Sequence, residues 1–284
     1  MVLAQLFWSG NFIVGRAVHD VIPPVALAFW RWTGGLIIVL PFSLRHLSRD
    51  LPTLIRHWPI ILALSASGIA AFNTCIYLGL QATTAINALL MQSTMPLIIL
   101  LCCYVLYRDR PSRMQTLGVV LSLGGVIAIV TRGNALSLLA MPLNRGDLWI
   151  FGAVLSYALY SALLRQRPFV HPLSLLVVTF AIGAALIAPF YAWEAAEGML
   201  WQLDLTTGSA VAYVAFFPSV VAYFTYNRGV ELIGANRAGQ FMHLMPFFGS
   251  ILAILLLGES FRLFHAVGAA LILGGLTLAS VRVR

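Results

Sequence analysis

Ten apolar segments follow one another along the 284-residue chain, separated by short stretches that hold most of its charged residues. The hydrocarbon core of a bilayer is about 30 Å thick, and a helix needs about 20 apolar residues to cross it. Charged residues make up only 9% of the chain, against 61% hydrophobic residues. No strand-like alternation is present, so the sequence predicts an all-α integral membrane protein rather than a transmembrane barrel. The ten predicted transmembrane helices cover residues 1–15, 24–44, 58–79, 82–106, 114–131, 147–164, 173–193, 208–230, 235–257 and 263–281.

Arginine supplies all 17 of the basic Lys and Arg side chains, and the net charge is +8. This charge alone would be compatible with nucleic-acid binding, but the arginines concentrate at one end of the predicted helices. The positive-inside rule then places both chain ends in the cytoplasm, with no nucleic acid as a partner. The first segment lacks a basic leader and a small-residue cleavage site, so we expect a helix there and not a signal peptide. Twelve arginines fall on the cytoplasmic side and four on the other: Arg45, Arg49, Arg56, Arg108, Arg110, Arg113, Arg165, Arg167, Arg228, Arg237, Arg282 and Arg284, against Arg16, Arg132, Arg145 and Arg262.

The two halves of the chain repeat each other. An offset of 150 pairs Met95-Pro96 with Met245-Pro246, and the Leu-Gly-Gly at 123–125 with that at 273–275, without a gap. The repeating unit holds five helices. Because five is odd, two such units in tandem must cross the membrane in opposite senses, which is typical of transporters. We therefore expect two inverted five-helix repeats, at residues 1–131 and 147–284, joined by a linker at 132–146.

Five short motifs are spread over the whole chain: FWSGNF at 7–12, PPVALAFWR at 23–31, ATTAINALLMQSTMP at 82–96, LLLGES at 255–260 and VGAALILGG at 267–275. They resemble the EamA family of the drug/metabolite transporter superfamily, and more closely its bacterial aromatic amino-acid exporters. The resemblance implies a ten-helix fold of two inverted repeats with both termini cytoplasmic. It also implies export of amino acids or similar metabolites across a bacterial inner membrane. Relatives in the superfamily carry sugars, nucleotide sugars and drugs, so the resemblance specifies the fold more narrowly than the substrate.

A proline interrupts two of the predicted helices at equivalent places. Pro96 has no N–H to donate to the carbonyl oxygen of Gln92, and Pro246 leaves that of Met242 free in the same way. A free carbonyl in hydrocarbon costs several kcal/mol unless protein or a wet cavity surrounds it. Paired breaks in corresponding helices indicate the substrate site of a transporter. We predict that Pro96 and Pro246 are hinges; the alternative is a kink that serves packing alone.

Aromatic and amide side chains recur on matching helical faces of the two halves. Asn73 and Tyr77 share a face because they lie four residues apart, and the offset of 150 turns them into Tyr223 and Asn227. A lining of rings, amides and flexible methionines suits an apolar or aromatic solute. The alternative is packing between helices and anchoring at the membrane surface. The predicted substrate-binding residues are Trp8, Asn11, Asn73, Tyr77, Met91, Gln92, Met95, Tyr157, Tyr160, Tyr223 and Asn227, together with Arg31 and His243.

Arg31 and His243 are the ionisable side chains of most interest within the apolar segments. A charge near mid-bilayer costs on the order of 2.5–3.5 kcal/mol, so we predict that Arg31 attracts an anionic group of the solute. The alternatives are that its side chain reaches the outer surface, or that it pairs with a neighbouring carbonyl or Asp20. His243 has a pKa suited to carrying a proton, and a hydrogen-bonded packing role is its alternative. No Asp or Glu lies deep in a predicted helix, which leaves uniport down a gradient open.

These features favour a secondary transporter that exports aromatic or other neutral amino acids by alternating access. Sugar phosphates, nucleotide sugars and drugs are the alternative solutes, although phosphorylated solutes need more cations than Arg31 alone. An intramembrane enzyme is the remaining alternative, but the sequence shows neither a Ser-His-Asp arrangement nor a metal-ligand spacing. We predict no catalytic residue, no cofactor and no metal. The predicted partners of this monomer are a small-molecule substrate and membrane lipid.

Overall fold

A computed structural model describes residues 1–134, 136, 144–257 and 262–280. Parts of the predicted linker (135 and 137–143), Glu259, Arg282 and Arg284 lie outside the described residues. Within the described ranges the chain forms helices and no β-strand. The α-helices are α1 Val2–Ala17, α2 Pro24–Arg56, α3 Trp58–Leu64, α4 Phe72–Ala82, α5 Ala85–Gln92, α6 Met95–Tyr107, α7 Arg113–Val130, α8 Arg145–Leu163, α9 Pro172–Ala196, α10 Leu205–Ala215, α11 Ala222–Ile233, α12 Ala235–Gln240, α13 Leu244–Leu257 and α14 Leu263–Ser280.

Irregular turns join several consecutive helices into longer rods, and they occur at corresponding places in the two halves. A π-helical segment, Ser65–Ala71, joins α3 to α4, and a second one, Phe216–Val221, joins α10 to α11. A break at residues 93–94 separates α5 from α6, and a 3-10 segment, Phe241–His243, joins α12 to α13. The breaks precede Pro96 and Pro246, as the sequence predicts.

Seven helical stretches of the described chain are long and apolar enough to cross a membrane. They coincide with the second to eighth predicted segments. The predicted spans at 1–15 and 263–281 fall on α1 and α14, which have 16 and 18 residues, and the predicted span at 235–257 falls on the interrupted pair α12–α13. The seven stretches are Pro24–Arg56, Trp58–Ala82, Asn87–Tyr107, Arg113–Val130, Arg145–Gln166, Pro172–Ala196 and Leu205–Ile233, and Leu263–Ala279 is a shorter apolar helix.

Helix α2 is longer than the apolar segment at 24–44 indicates. It has 33 residues, ends at Arg56, and contains Pro52 without being broken by it. Leu54 of the extension is buried, and Leu47 packs against the same core. Because these leucines gain apolar contacts, the helix continues past the end of the hydrophobic run.

The helices run between two ends of the bundle, which we name the Asp147 end and the Arg165 end. At the Asp147 end, Thr83 Oγ1 donates to Asp147 Oδ1 at 2.6 Å, which ties the end of α4 to the start of α8. At the Arg165 end, Arg165 Nη1 lies 2.6 Å from Asp109 Oδ2, which ties the loop after α6 to the loop after α8.

Both ends of the described chain lie at the Arg165 end. The side chain of Met1 lies against Gly229, next to the ion pair between Arg228 and Glu231 near the end of α11. Helix α14 runs antiparallel to α7, so its last turns, at Ala279, lie beside the first turns of α7.

Within the described ranges, three hydrogen bonds join residues that are 150 positions apart. Two repeats related by a two-fold axis would give such contacts close to that axis. Asn73 Nδ2 donates to Tyr223 Oη at 3.4 Å, His243 Nε2 lies 2.9 Å from the carbonyl oxygen of Ser93, and Ser122 Oγ donates to the carbonyl oxygen of Ile272 at 3.3 Å.

Four glycines allow α7 and α14 to approach closely. A Cβ atom on Gly118 would stand 2.5 Å from the carbonyl oxygen of Gly275, and one on Gly125 would stand 2.6 Å from that of Gly268. The neighbouring Gly124 points away, with no atom within 4 Å of its Cβ position. Close backbone approach at small residues is the usual way in which membrane helices pack.

We expect valine at position 125 to destabilise the protein far more than valine at position 124. Both substitutions have the same effect on helix propensity, but only Gly125→Val forces a side chain into α14, and such overpacking costs about 1–3 kcal/mol or more. Thermal unfolding of the two purified variants in detergent measures the difference. Equal melting temperatures would show that α7 and α14 do not pack as described.

Candidate functional site

A cluster of aromatic rings occupies the middle of the bundle. The Trp8 ring centroid lies 5.5 Å from that of Tyr157, 5.7 Å from that of Tyr223 and 5.2 Å from that of Tyr226. Tyr160 joins the cluster through Tyr157, at 5.1 Å. All five side chains are at most 5% exposed. The structure thus brings four of the five predicted tryptophan and tyrosine rings together, without Tyr77, and adds Tyr226, which could have been found because it follows Tyr223 by one helical turn.

A narrow pocket lies beside this aromatic cluster. Its cavity volume is about 10 Å³, which leaves room for about one water molecule. The offset of 150 could have found two of the unpredicted wall residues, since it relates Met242 to Gln92 and Met245 to Met95. The walls consist of six predicted residues, Trp8, Asn11, Asn73, Gln92, Met95 and Tyr157, and five unpredicted ones, Phe12, Phe72, Ile76, Met242 and Met245.

Four polar atoms of the pocket residues have no hydrogen-bond partner in the described part of the chain. They are Nε2 and Oε1 of Gln92, Oδ1 of Asn73 and Oη of Tyr157, and all are buried. An unpaired buried polar group costs about 1–3 kcal/mol, so several in one place call for an explanation. Together they provide an amide donor, two amide acceptors and a hydroxyl that can do either. A bound solute with polar groups of its own would satisfy them.

Two matching hydrogen bonds flank the aromatic cluster. Tyr77 Oη donates to Asn11 Oδ1 at 2.8 Å, and Tyr160 Oη donates to Asn227 Oδ1 at 2.7 Å. The first helices of the two halves align at an offset of 149, which pairs Arg16 with Arg165 and Asn11 with Tyr160, and the offset of 150 pairs Tyr77 with Asn227. The two hydrogen-bonded pairs therefore correspond, with their residue types exchanged.

These hydrogen bonds lie on opposite sides of the contact between Asn73 and Tyr223. Tyr77 is one helical turn beyond Asn73 toward the Asp147 end, and Asn227 is one turn beyond Tyr223 toward the Arg165 end, which is about 6 Å in each direction. We call them the Asp147-side bond and the Arg165-side bond. Both bonds are formed in the structure.

Arg31 is completely buried and bonds to uncharged oxygen atoms. Its Nε donates to Ser219 Oγ at 2.7 Å, and its Nη2 donates to the carbonyl oxygen of Pro218 at 3.1 Å. Its Nη1 donates to Asn11 Oδ1 at 2.8 Å and to Tyr77 Oη at 3.1 Å. None of these described partners is a carboxylate. Arg31 therefore reinforces the Asp147-side bond from behind the pocket wall.

The second π segment explains how Arg31 is held inside the bundle. The carbonyl oxygen of Pro218, within that segment, accepts both from Arg31 and from Trp8 Nε1, the latter at 2.9 Å. The Arg31 side chain does not extend to the surface, and Asp20 instead lies 3.3 Å from His19 Nε2. Of the alternatives open from the sequence, the structure contains the pairing with a carbonyl oxygen.

His243 bridges the two helix breaks. Its Nε2 lies 2.9 Å from the carbonyl oxygen of Ser93, between α5 and α6, while its Nδ1 has no partner in the described chain. The side chain is fully buried beside the pocket residue Met242 but does not line the pocket. A role in carrying a proton stays a prediction.

The remaining predicted residues lie close to the pocket without lining it. Met91 packs against the core. Pro96 is the second residue of α6 and Pro246 the third of α13, so each follows directly after a break, where the missing N–H of proline is tolerated. Their hinge role stays a prediction.

A second pocket opens at the Arg165 end, and we call it the vestibule. Two arginines share one carboxylate oxygen there: Arg167 Nη2 lies 2.9 Å and Arg228 Nη1 2.7 Å from Glu231 Oε2. The sequence predicted only that these arginines lie on the cytoplasmic side. It could not predict that both contact Glu231, because that contact depends on how the loop after α8 folds onto α11. The vestibule is lined by Arg167, Pro172, Leu175, Leu176, Phe224, Asn227, Arg228 and Glu231.

Metal-ligating side chains are dispersed. In the ranges that the structure describes, no group of three or more His, Cys, Asp and Glu side chains is placed to hold a metal ion. The three cysteines, Cys75, Cys102 and Cys103, are free thiols.

The sequence of the chain is similar to those of known membrane transporters. A sequence model described as the EamA-like transporter family matches residues 1–131 and 144–281. The chain is 26% identical to the uncharacterized transporter YyaM of Bacillus subtilis (strain 168), over 99% of this chain and 92% of that one. It is 27% identical to the uncharacterized inner membrane transporter YicL of Salmonella typhimurium, over 99% of this chain and 94% of that one.

A solved crystal structure shares the fold. It superposes with a TM-score of 0.77 at 20% sequence identity, and the match covers 98% of this chain and 94% of the other. An uncharacterized transporter of Archaeoglobus fulgidus is 25% identical over 99% of this chain and 96% of its own length. The similarity therefore extends along the whole chain.

Proposed function

The chain belongs to the EamA-like transporter family, and from that premise we propose that it exports aromatic and other neutral amino acids across a bacterial inner membrane. The central pocket carries this proposal. Rings suited to an aromatic side chain surround it, and unpaired polar atoms on its walls suit the polar groups of an amino acid.

The proposed topology is ten transmembrane helices arranged as two inverted repeats, 1–131 and 147–284, with both termini in the cytoplasm. Three observations support it. The direct contacts between residues 150 apart are those of a two-fold axis, both ends of the described chain lie at the Arg165 end, and this end carries most of the arginines. By the positive-inside rule the Arg165 end is then cytoplasmic.

The two flanking hydrogen bonds support alternating access as the proposed mechanism. Opening the Arg165-side bond would expose the central pocket to the cytoplasm, and opening the Asp147-side bond would expose it to the outside. Pro96 and Pro246, next to the helix breaks, are the proposed hinges about which the repeats move. The described conformation, with both bonds formed, corresponds to a closed state between the two.

The chemistry of the pocket wall favours neutral amino acids over phosphorylated solutes. None of the eleven residues that line the central pocket is charged, whereas a phosphate group needs several cations. An amino acid zwitterion is neutral overall. Its ammonium group can donate to amide and hydroxyl oxygens of the wall, and its carboxylate can accept from amide N–H and hydroxyl groups.

Counterflow of labelled L-phenylalanine into proteoliposomes tests the proposal, and Gln92→Leu gives it a specific prediction. We expect the wild type to exchange phenylalanine, and the variant to need about 10-fold more for half-saturation or worse, because a hydrogen bond to a charged group contributes about 1.5–3 kcal/mol. Gln202→Leu, in an exposed loop, is the control and should match the wild type. A folded protein that exchanges no amino acid would reject the substrate class.

A further inference from the structure

The vestibule holds two arginines and one glutamate, so its net charge is positive. Arg167 is sheltered, at 11% exposed, whereas Glu231 is 31% and Arg228 51% exposed. Both arginines direct a guanidinium nitrogen at the same oxygen of Glu231. A guanidinium has five N–H donors, so one carboxylate engages only a part of what the two arginines offer.

We infer that the vestibule is a separate binding site for the carboxylate of the solute, occupied before the solute enters the central pocket. The inference rests on the proposed function. When the vestibule is empty, the Glu231 carboxylate pairs with both arginines and holds them in place. When a solute enters, its carboxylate replaces Glu231 as the partner of one arginine. The ligand class is a small molecule with a carboxylate at one end and an apolar body at the other.

The apolar wall of the vestibule fits the second half of that description. Leu175 and Leu176 on α9 and Phe224 on α11 line the same pocket as the arginines, and Phe224, at 37% exposed, offers most of the apolar surface. An aromatic or aliphatic side chain can lie on this wall while the carboxylate meets the planar donors of the arginines, a geometry that guanidinium groups favour.

Asn227 connects the vestibule to the central pocket. It lines the vestibule, and its Oδ1 accepts the hydrogen bond from Tyr160, a member of the aromatic cluster. The Arg165-side bond is therefore the barrier between the two sites. A solute held in the vestibule lies directly at the barrier that has to open for export.

Arg167→Gln and Glu231→Gln test the inference because they should change the half-saturating concentration of phenylalanine in opposite directions. We expect Arg167→Gln to raise the half-saturating concentration of L-phenylalanine about 10-fold in counterflow, but to leave that of L-phenylalaninamide, which has no carboxylate, within about twofold. Glu231→Gln removes the competitor and should lower the value for phenylalanine about threefold. Arg165→Gln is the control: it removes the same charge two residues away, at an exposed pair with Asp109, and should behave as the wild type.

A purely structural ion-pair cluster gives a different pattern. Glu231→Gln would then weaken exchange as Arg167→Gln does, and the amide would be affected as much as the acid; either result overturns the inference. Binding of 3-phenylpropanoate to the purified protein, measured by calorimetry, separates this from a failure of the proposed function. Suppose that phenylalanine is not exchanged. If 3-phenylpropanoate still binds and Arg167→Gln weakens that binding, the inferred carboxylate site in the vestibule stands. If the probe does not bind, or binds equally well to Arg167→Gln, the inference is rejected.

Discussion

Arg31→Met is expected to reduce exchange by about 100-fold or more and to lower the melting temperature of the purified protein. Four oxygen atoms lose the hydrogen bond from the guanidinium at once, and each hydrogen bond to a charged group contributes about 1.5–3 kcal/mol. The loss corresponds to several kcal/mol, which is a large part of the stability of a typical folded domain. Counterflow and thermal unfolding of the same preparation measure both effects.

The position of Arg31 explains why its loss affects transport and not stability alone. The guanidinium joins α2 to α1 through Asn11, to α4 through Tyr77, and to the π segment between α10 and α11 through Pro218. These elements come from both halves of the chain and meet on the Asp147 side of the pocket. Without the guanidinium, the two halves of the chain lose these polar contacts with each other on that side.

Arg45→Met and Arg31→Lys complete the experiment. Arg45 lies exposed on the same helix, so its substitution removes the same charge and should leave exchange and melting temperature unchanged. Lysine keeps the charge but presents it as a point rather than a planar fork, and we expect it to restore only part of the activity. Near-normal exchange by Arg31→Met would mean that these hydrogen bonds are dispensable.

Much of the fold can be predicted from local patterns in the sequence. Seven of the predicted spans coincide with long apolar helices, because apolar length is a direct consequence of bilayer thickness. The prolines marked both helix breaks for a local reason, namely the missing N–H. Offsets of 149 and 150 related Trp8 to Tyr157 and Asn73 to Tyr223, and the structure brings these three rings into one cluster with Tyr160.

Features that depend on contacts between distant segments were out of reach. The partners of Arg31 are one case: the carbonyl oxygen of Pro218 is available because residues 216–221 form a π segment, and no local pattern announces such a segment. The vestibule is another, because Arg167 reaches Glu231 only through the path of a loop. The unpaired atoms of Gln92 likewise become informative only once packing shows that nothing else satisfies them.

Tyr77→Phe and Tyr160→Phe are expected to shift the resting conformation in opposite directions. Each substitution removes one hydroxyl and keeps the ring, so it breaks the Asp147-side bond or the Arg165-side bond with little change in packing. A neutral hydrogen bond contributes about 0.5–1.5 kcal/mol, which changes an equilibrium by about 2-fold to 12-fold. Tyr77→Phe should favour the outward-open state, and Tyr160→Phe the inward-open state.

The two shifts should be unequal, because Arg31 reinforces only one of the bonds. Tyr77 Oη also accepts from Arg31 Nη1 at 3.1 Å, and Arg31 still holds Asn11 after Tyr77→Phe. On the Arg165 side, Tyr160→Phe leaves Asn227 without its tyrosine donor. We therefore expect the larger change in Tyr160→Phe, toward the cytoplasm. Distances between spin labels at each end of the bundle, recorded without substrate, measure both populations.

Tyr104→Phe serves as the matched control, since Tyr104 is 39% exposed and its hydroxyl belongs to neither bond. Its distance distributions should match those of the wild type. Shifts in the same direction for Tyr77→Phe and Tyr160→Phe would contradict the assignment of one bond to each side of the pocket. Opposite shifts would show that both bonds act on one equilibrium, that between the outward-open and inward-open states. A carrier must keep one side closed while the other is open, because breaking both bonds at once would turn it into a channel.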